Sequence, residues 1–353
     1  MITNATMVLL NYLGVIIYSG IAVLTVVFGV VSKIILSTRH NTDYLFIVLL
    51  QLFIVLKATT THFPIIKRHK EEEYYYDPIA NEKKKFPSIE DEPQLELSVI
   101  IPAYEEELRL PVMLDECMEY LELKSKNNPK FNYEVIVVSD GSKDKTVECA
   151  MNYCKKYTSD KFRILDLIEN RGKGGAVRLG MQSSRGKYLL FADADGATKF
   201  ADYTKLEECM MNIGKDWNDN AVVIGSRAHL EKESTAQRSF FRTILMHGFH
   251  SLVWFFAVKG IKDTQCGFKL LTRSSARTLF SIMHVERWAF DVELLFIAQS
   301  YKMAIGEIAV NWTEIDGSKV TPFWSWLEMG RDLILIWLRY QIGAWKLRKP
   351  HQQ

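Results

Sequence analysis

The chain has 353 residues and a formal net charge of +2, from 44 Lys and Arg against 42 Asp and Glu. This near-neutral balance argues against a dedicated nucleic-acid-binding protein, and 48% hydrophobic residues exclude a disordered or collagen-like chain. The five cysteines include no C-x-x-C pair, so a disulfide framework and a thiolate zinc site are both disfavoured and a reducing compartment fits best.

The first 32 residues contain no Asp, Glu, Lys or Arg. Residues 7–31 are almost continuously apolar and exceed the ~20 residues that cross a bilayer core, so they predict a retained membrane anchor rather than a cleaved signal peptide. A second uncharged run, 44–56, has the length of a buried or interfacial helix. The sequence is compatible with one transmembrane span, at 7–31, and with two, at 7–31 and 44–56.

Basic residues give the expected topology. Lys67, Arg68 and Lys70 follow both apolar segments, and the positive-inside rule then puts everything after Lys67 in the cytoplasm. Residues 67–93 are rich in charge, with 14 of 27 being Asp, Glu, Lys or Arg, and this composition predicts a linker.

After Pro93 the pattern is typical of an α/β domain. Apolar, β-branched runs predict strands at Leu97–Ile101, Glu134–Ser139, Arg163–Ile168, Lys187–Phe191 and Ala221–Ile224. Helix-like runs lie between them near 108–124, 144–157, 173–184 and 202–213. This alternation predicts a parallel sheet with its ligand site beyond the carboxyl ends of the strands.

Polar residues follow each predicted strand at once. They form the loops 102–107, 140–142, 169–174, 193–196 and 225–227. Any one loop is equally well explained as a turn or a helix start, but five at one sheet edge favour a binding site. The glycines from Gly172 onward do not fit G-x-G-x-x-G, because position 177 is Val177, and no P-loop motif occurs.

The most chemically specific of these loops contains Asp193 and Asp195. Two carboxylates one residue apart at a strand end can hold a divalent cation against a diphosphate, because Mg²⁺ prefers one or two carboxylates plus phosphate oxygens. A helix cap or a simple turn is the alternative.

A set of motifs in chain order resembles glycosyltransferase family 2. They are IIPAYEEE (100–107), VVSDGSKDKT (137–146), ENRGKGGAVRLG (169–180), FADADGAT (191–198), GSR (225–227), DTQCGFK (263–269) and RWAFDVEL (287–294). The resemblance covers about residues 95–345. It implies a GT-A type, Rossmann-like nucleotide-sugar-binding domain at 94–312, in a membrane protein of the endoplasmic reticulum.

The resemblance also implies inverting transfer of glucose from UDP-glucose to dolichyl phosphate, with Mg²⁺ or Mn²⁺. Residues implied to bind the nucleotide sugar are Pro102, Tyr104, Glu106, Asp140, Lys173 and Asp193; the metal ligands are Asp193 and Asp195. Asp195, Asp291 and Arg227 are the expected catalytic residues. A mannosyltransferase acting on the same lipid, and a membrane-tethered nucleotide-sugar-binding scaffold, are the alternatives.

The acceptor chemistry predicts a basic cluster. A phosphate monoester with its second pKa near ~6 is already a dianion at neutral pH, so it needs positioning rather than a general base. Arg227, Arg238 and Arg242 are the candidates. The last two precede an uncharged, aromatic run at 243–258 that predicts either an interfacial helix or a buried one. Asp291 would then orient sugar hydroxyls or an arginine, unless it acts as a base.

The C-terminal region 313–353 is amphipathic and contains Trp324, Trp326 and Trp337. Tryptophan favours the membrane interface, so this region predicts a membrane-surface helix. Burial of the tryptophans in a core is the alternative.

Overall fold

The computed structural model describes residues 50–51, 53–230, 258–315 and 322–347, with side chains in the last range from 330 onward. The chain divides into two compact units, 1–61 and 62–353, and the second is described below. The predicted span at 7–31, most of the 44–56 segment, and Arg238 and Arg242 lie outside the described residues. Among the residues that are described, no helix combines the length and hydropathy needed to cross a bilayer.

A seven-stranded mixed sheet forms the centre of the second unit. The strands of the described residues are β1 (Tyr74–Asp77), β2 (Glu82–Lys85), β3 (Leu95–Ala103), β4 (Tyr133–Ser139), β5 (Phe162–Asp166), β6 (Gly186–Ala192), β7 (Ala221–Ser226), β8 (Phe268–Thr272) and β9 (Ala304–Ala309). The order in the sheet is β5-β4-β3-β6-β8-β7-β9. Strands β5, β4, β3 and β6 are parallel to one another, whereas β8 runs antiparallel to both β6 and β7, and β9 is parallel to β7.

Helices cover both faces of this sheet. They are α1 (Leu110–Asn127), α2 (Thr146–Lys161), α3 (Lys173–Gln182), α4 (Tyr203–Ile213), α5 (Arg273–Ile282), α6 (Phe290–Ser300) and α7 (Pro322–Gln341). The five predicted strands and four predicted helices are all present, although β5 ends two residues before the predicted Ile168. Strands β8 and β9 and the β1–β2 hairpin were not predicted.

Burial of both faces explains why the strands have nearly continuous apolar sequences. One face packs Ile100 and Phe191 against α3, α5 and α6. The opposite face packs Val99 and Val135 against α1, α2 and α4. Helix α3 lies especially close to the sheet, because a Cβ at Gly180 would come within 2.5 Å of Cγ2 of Ile100. That glycine therefore serves helix–sheet packing.

The segment from 67 to 93, whose composition predicts a linker, is folded onto the domain. It forms a 3₁₀ turn at Lys70–Glu73 and then the β1–β2 hairpin. Along β1, exposed Tyr74 and Tyr76 alternate with Tyr75 and Asp77, which are buried. Every second side chain of β1 therefore faces the domain. A count of charged residues in the sequence does not reveal this alternation.

Charge pairing explains how such a polar segment can pack. Asp77 accepts hydrogen bonds from Lys84 on β2 and from Ser159 on α2, both at 2.7 Å. Tyr75 packs on Phe86 with ring centroids 5.0 Å apart. The carboxylate is thus buried with its partners, which removes most of the penalty for taking it out of water.

Part of the C-terminal region, from Leu333 to Trp345, also packs on this unit. Leu333 and Ile336 of α7 are buried, as is Trp345 beyond it, whereas Ile334 is 42% exposed. Trp345 stacks on His284, with centroids 4.2 Å apart. The described part of the C-terminal region therefore has one face in the core, and Trp337 of α7 is half-buried. The membrane-surface prediction for this region stays a prediction.

Candidate active site

A pocket of about 520 Å³ opens at the carboxyl ends of the parallel strands. It is lined by all nine of the predicted site residues that the structure describes. These are Pro102, Tyr104, Glu106, Asp140, Lys173, Asp193, Asp195, Arg227 and Asp291. They come from separate parts of the chain, mostly from the ends of strands and the loops that follow them, and the shared sheet edge brings them together. The predicted residues thus lie together at the predicted sheet edge, while the position of the active site and the role of each residue stay predictions.

Asp140 follows β4 and shapes the next loop. Its Oδ1 accepts the backbone N–H of Arg171 at 2.7 Å, and its Oδ2 accepts that of Gly172 at 2.9 Å. Burial raises the pKa of the Asp140 carboxyl, and these two N–H donors act in the opposite direction. Gly172 has a φ of +84°, a conformation that favours glycine. Asp140 thus fixes the turn that leads directly into α3.

Lys173 is the first residue of α3 and points into the pocket. Its Nζ lies 2.6 Å from Oδ1 of Asp193. Burial alone would lower the pKa of Lys173, but the nearby Asp193, Asp291 and Asp195 carboxylates outweigh it, so the pKa is raised and the side chain stays an ammonium ion. The N-terminus of α3 adds its partial positive charge at the same place. The arrangement suits a negatively charged ligand group.

The acidic pair follows β6. The backbone N–H of Asp193 donates to the carbonyl of Gly267 at 2.9 Å, and a Cβ at position 267 would lie 1.9 Å from Oδ2 of Asp193. Only glycine leaves room for the Asp193 carboxylate in this position. Asp195 accepts the N–H of Ala197 at 3.0 Å, and its pKa is raised by burial and then by the neighbouring Asp193.

The carboxylate oxygens of Asp193 and Asp195 fit a hard divalent cation that takes its other ligands from substrate and water. No group of three or more His, Cys, Asp and Glu side chains suited to a metal occurs among the described residues. Two carboxylates are nevertheless the protein contribution expected for Mg²⁺ or Mn²⁺ that completes its shell with substrate phosphates and water. Asp193 and Asp195 are the residues that would hold it.

Glu106 is engaged by a residue that the sequence analysis missed. Its two carboxylate oxygens accept from Nε and Nη2 of Arg109, at 2.7 and 2.5 Å. Burial lowers the pKa of Arg109, but its ion pair with Glu106 and the charges of Asp195 and Asp193 raise it overall. Glu106 therefore holds a cation beside the acidic pair. The i, i+3 spacing of Glu106 and Arg109 just before α1 could have indicated this pair.

Arg227 is held by Asp263. The guanidinium donates from Nε and Nη2 to the two carboxylate oxygens at 2.7 and 2.9 Å, and the backbone N–H of Arg227 adds a third hydrogen bond at 2.9 Å. Burial would raise the pKa of Asp263, but these hydrogen bonds and the Arg227 charge lower it. Arg227 thus lines the pocket in a fixed orientation, with its Nε and Nη2 groups bonded to Asp263.

Asp291 is paired in the interior with Lys269 of β8. Nζ of Lys269 lies 2.5 Å from Oδ1 of Asp291 and donates to the carbonyl of Cys266 at 2.6 Å. The two side chains are 0% and 4% exposed. Burial raises the pKa of Asp291, and Lys269 and then Lys173 oppose that rise. Lys269 was not predicted, although it belongs to the DTQCGFK motif.

The chain belongs to glycosyltransferase family 2, since the family model "Glycosyl transferase family 2" matches residues 98–280. It is therefore a glycosyltransferase. Asp291 and the segment before β3 lie outside the matched range.

Individual proteins similar to this chain have more specific names than the family. The chain is 64% identical over 288 residues to a dolichyl-phosphate beta-glucosyltransferase of Drosophila melanogaster, covering 82% of this chain and 88% of the relative. It is 59% identical over 299 residues to one of Homo sapiens, covering 85% and 92%. Among solved structures, it is similar to glucosyl-3-phosphoglycerate synthase of Mycobacterium tuberculosis with UDP, at 16% identity and a TM-score of 0.48, covering 71% of this chain and 81% of that chain.

We expect Lys269→Met to lower the free energy of unfolding at pH 7 by about 3–5 kcal/mol, because it leaves the Asp291 carboxylate buried without its partner. The pKa of Asp291 in the folded state should then rise further above its unfolded value. The folded state would bind the extra proton as the pH falls, so the variant should regain stability at lower pH. Urea unfolding followed by fluorescence from pH 8 to pH 5 measures both effects.

Lys187→Met is the matched control, since Lys187 pairs with Glu96 at the same 2.5 Å distance but at 37% and 36% exposure. An exposed pair contributes about 0–1 kcal/mol, so this variant should lose little stability and show no recovery at low pH. Equal losses in the two variants would contradict the assignment of Lys269 and Asp291 as a buried, mutually dependent pair.

Proposed function

We propose that this protein transfers glucose from UDP-glucose to dolichyl phosphate with inversion at the anomeric carbon. The main support is that relatives of about 60% identity, aligned over most of the chain, carry the name dolichyl-phosphate beta-glucosyltransferase. The pocket supports the same reaction, because it combines a helix N-terminus, a charged lysine and an acidic pair at one sheet edge.

The reaction joins two anions, so charge is the central problem. Five acidic and four basic side chains line the pocket. They are Glu106, Asp140, Asp193, Asp195 and Asp291 against Arg109, Lys173, Arg227 and Arg287. A donor diphosphate and an acceptor phosphate would therefore meet a formal excess of negative charge. A divalent cation held by Asp193 and Asp195 would reverse that excess and stabilise the departing diphosphate.

The residues of the chain have separate roles in this proposal. Lys173, at the N-terminus of α3, faces the diphosphate. Its ammonium group stabilises the negative charge that develops on the leaving oxygen as the bond to the anomeric carbon breaks. Arg109, held by Glu106, adds a second cation. Tyr104 is 37% exposed at the pocket edge, where it can pack against the nucleoside.

The acceptor needs orientation and no deprotonation. Its phosphate is a dianion at neutral pH, and one of its oxygens attacks the anomeric carbon opposite the leaving group, so no proton has to move. Arg227, fixed by Asp263, would guide this phosphate, together with Arg238 and Arg242, which lie outside the described residues. Asp291 would accept hydrogen bonds from sugar hydroxyls.

A comparison of two donors tests the proposed reaction. Protein purified in detergent is given dolichyl phosphate with radiolabelled UDP-glucose or GDP-mannose, and organic-extractable label is counted. We expect label from UDP-glucose alone, and its loss on adding EDTA. Label from GDP-mannose would identify a mannosyltransferase, and binding of either donor without turnover would identify a scaffold.

Asp195→Asn is the variant that belongs with this assay. Losing one charged ligand of the proposed metal leaves diphosphate charge uncompensated, so turnover should fall by roughly 10²–10³-fold with the fold intact. Thermal unfolding checks the fold. Normal turnover of Asp195→Asn alongside an EDTA-sensitive parent protein would disprove the metal assignment.

We further propose that residues 7–31 anchor the protein in the endoplasmic reticulum membrane, with the catalytic domain on the cytoplasmic side. The apolar run and the basic residues that follow it support this topology. Protease added to sealed microsomes should digest the region after Lys67. Protection of that region until detergent is added would mean a lumenal domain and would contradict the proposal.

A further inference from the structure

A short segment before the hairpin, residues 67–73, lies against the loop between β5 and α3. Glu72 makes the contact and is 1% exposed. Its Oε1 accepts the backbone N–H of Ile168 at 3.1 Å, and its Oε2 accepts from Nη2 of Arg171 at 3.0 Å and from the N–H of His69 at 2.9 Å. A carboxylate from outside the matched family range is therefore built into the border of the pocket.

Arg171 is the residue through which this contact reaches the site. Its side chain is 9% exposed, bonded to Glu72, and also donates to the carbonyl of Lys67. Its backbone N–H donates to Asp140 Oδ1, and the next N–H, that of Gly172, donates to Oδ2. Two carboxylates thus hold one short turn, Asp140 from the pocket side and Glu72 from outside.

The geometry of the turn explains why the contact between Glu72 and Arg171 can affect the position of Lys173. Gly172 is the residue before α3 and has a φ of +84°, so this part of the chain has no side chain of its own to restrict its backbone. Lys173 comes next and carries the charge that faces Asp193. A change in the orientation of Arg171 would therefore move the first turn of α3 and its lysine relative to the acidic pair.

The interaction is strong enough to have this effect. Both partners are almost fully buried, so removal of either charge leaves the other without compensation in the interior. Loss of one hydrogen bond to a charged group can change a binding constant by about tenfold.

We propose that Glu72 is a positioning residue for the diphosphate end of the donor site, acting through Arg171 on the turn before Lys173. Segment 67–73 is then part of the donor-binding apparatus rather than a spacer between an anchor and an enzyme. The chemical identity of the donor rests on the proposed function, but the mechanical link from Glu72 to Lys173 does not.

The test compares two buried carboxylates of the same region in the full-length protein. Glu72→Gln keeps the shape of the side chain and removes its charge. Asp77→Asn is the matched control, because Asp77 is 5% exposed and its side-chain partners are Lys84 and Ser159, which do not line the pocket. Binding of UDP and of GDP is measured by calorimetry, and KM for UDP-glucose and kcat are measured separately.

We expect Glu72→Gln to raise the Kd of UDP and the KM of UDP-glucose about tenfold, with kcat changed less than about twofold, because donor binding is what weakens. Asp77→Asn should lose comparable thermal stability and keep the parent Kd and KM. An unchanged Kd in Glu72→Gln, or an equal rise in Asp77→Asn, would overturn the proposal.

Arg171→Met removes the other partner of the ion pair with Glu72. It replaces Glu72→Gln in the test if that variant does not fold. It should raise the Kd of UDP to a similar extent, and the double variant should bind UDP no more weakly than the worse single variant, since both changes break one interaction. Additive effects would overturn the proposal. Preference of the parent protein for GDP over UDP would instead refute the proposed donor, and the effect of Glu72→Gln would then be judged with GDP.

Discussion

The buried pair between Lys269 and Asp291 is the interaction on which the pocket depends most. An isolated carboxylate in the interior would protonate or destabilise the fold, whereas this one has a fully buried ammonium group 2.5 Å away. The same short motif holds two other pocket residues, since Asp263 fixes Arg227 and Gly267 leaves room for Asp193. Residues 263–269 therefore organise three parts of the site at once.

The position of β8 explains how one motif can do this. It runs antiparallel between β6 and β7, so its start lies beside the carboxyl ends of both neighbours. The loop before β8 thus passes under the acidic pair from β6 and beside Arg227 from β7. Lys173 also lines this pocket, and the charges of Asp193 and Asp291 both act to raise its pKa. Acidic and basic side chains are therefore neighbours in the pocket, and Lys173 stays charged and can face an anionic substrate.

Sequence reasoning predicted the parallel half of the sheet and the pocket at its edge, because apolar runs and the polar loops after them are local patterns. It missed Arg109 and Lys269, whose roles depend on partners brought close only by the fold. A lysine between Phe268 and Leu270 interrupts the pattern of a buried strand, and its ion pair with Asp291 and its hydrogen bond to the carbonyl of Cys266 make it compatible with one. The hairpin at 74–85 was missed because its alternation is carried by tyrosines within a highly charged segment.

The central claim is that the site acts by placing charges around two anions and does not need a base to activate the acceptor. The most direct test is the pH dependence of turnover in Asp291→Asn, with the double variant Asp291→Asn/Lys269→Met as a check on uncompensated buried charge. We expect a modest loss of kcat, much smaller than that caused by changing a ligand of the proposed metal, and no rescue at high pH. A near-complete loss that is restored as the pH is raised would show that Asp291 is a general base, and the account would be wrong.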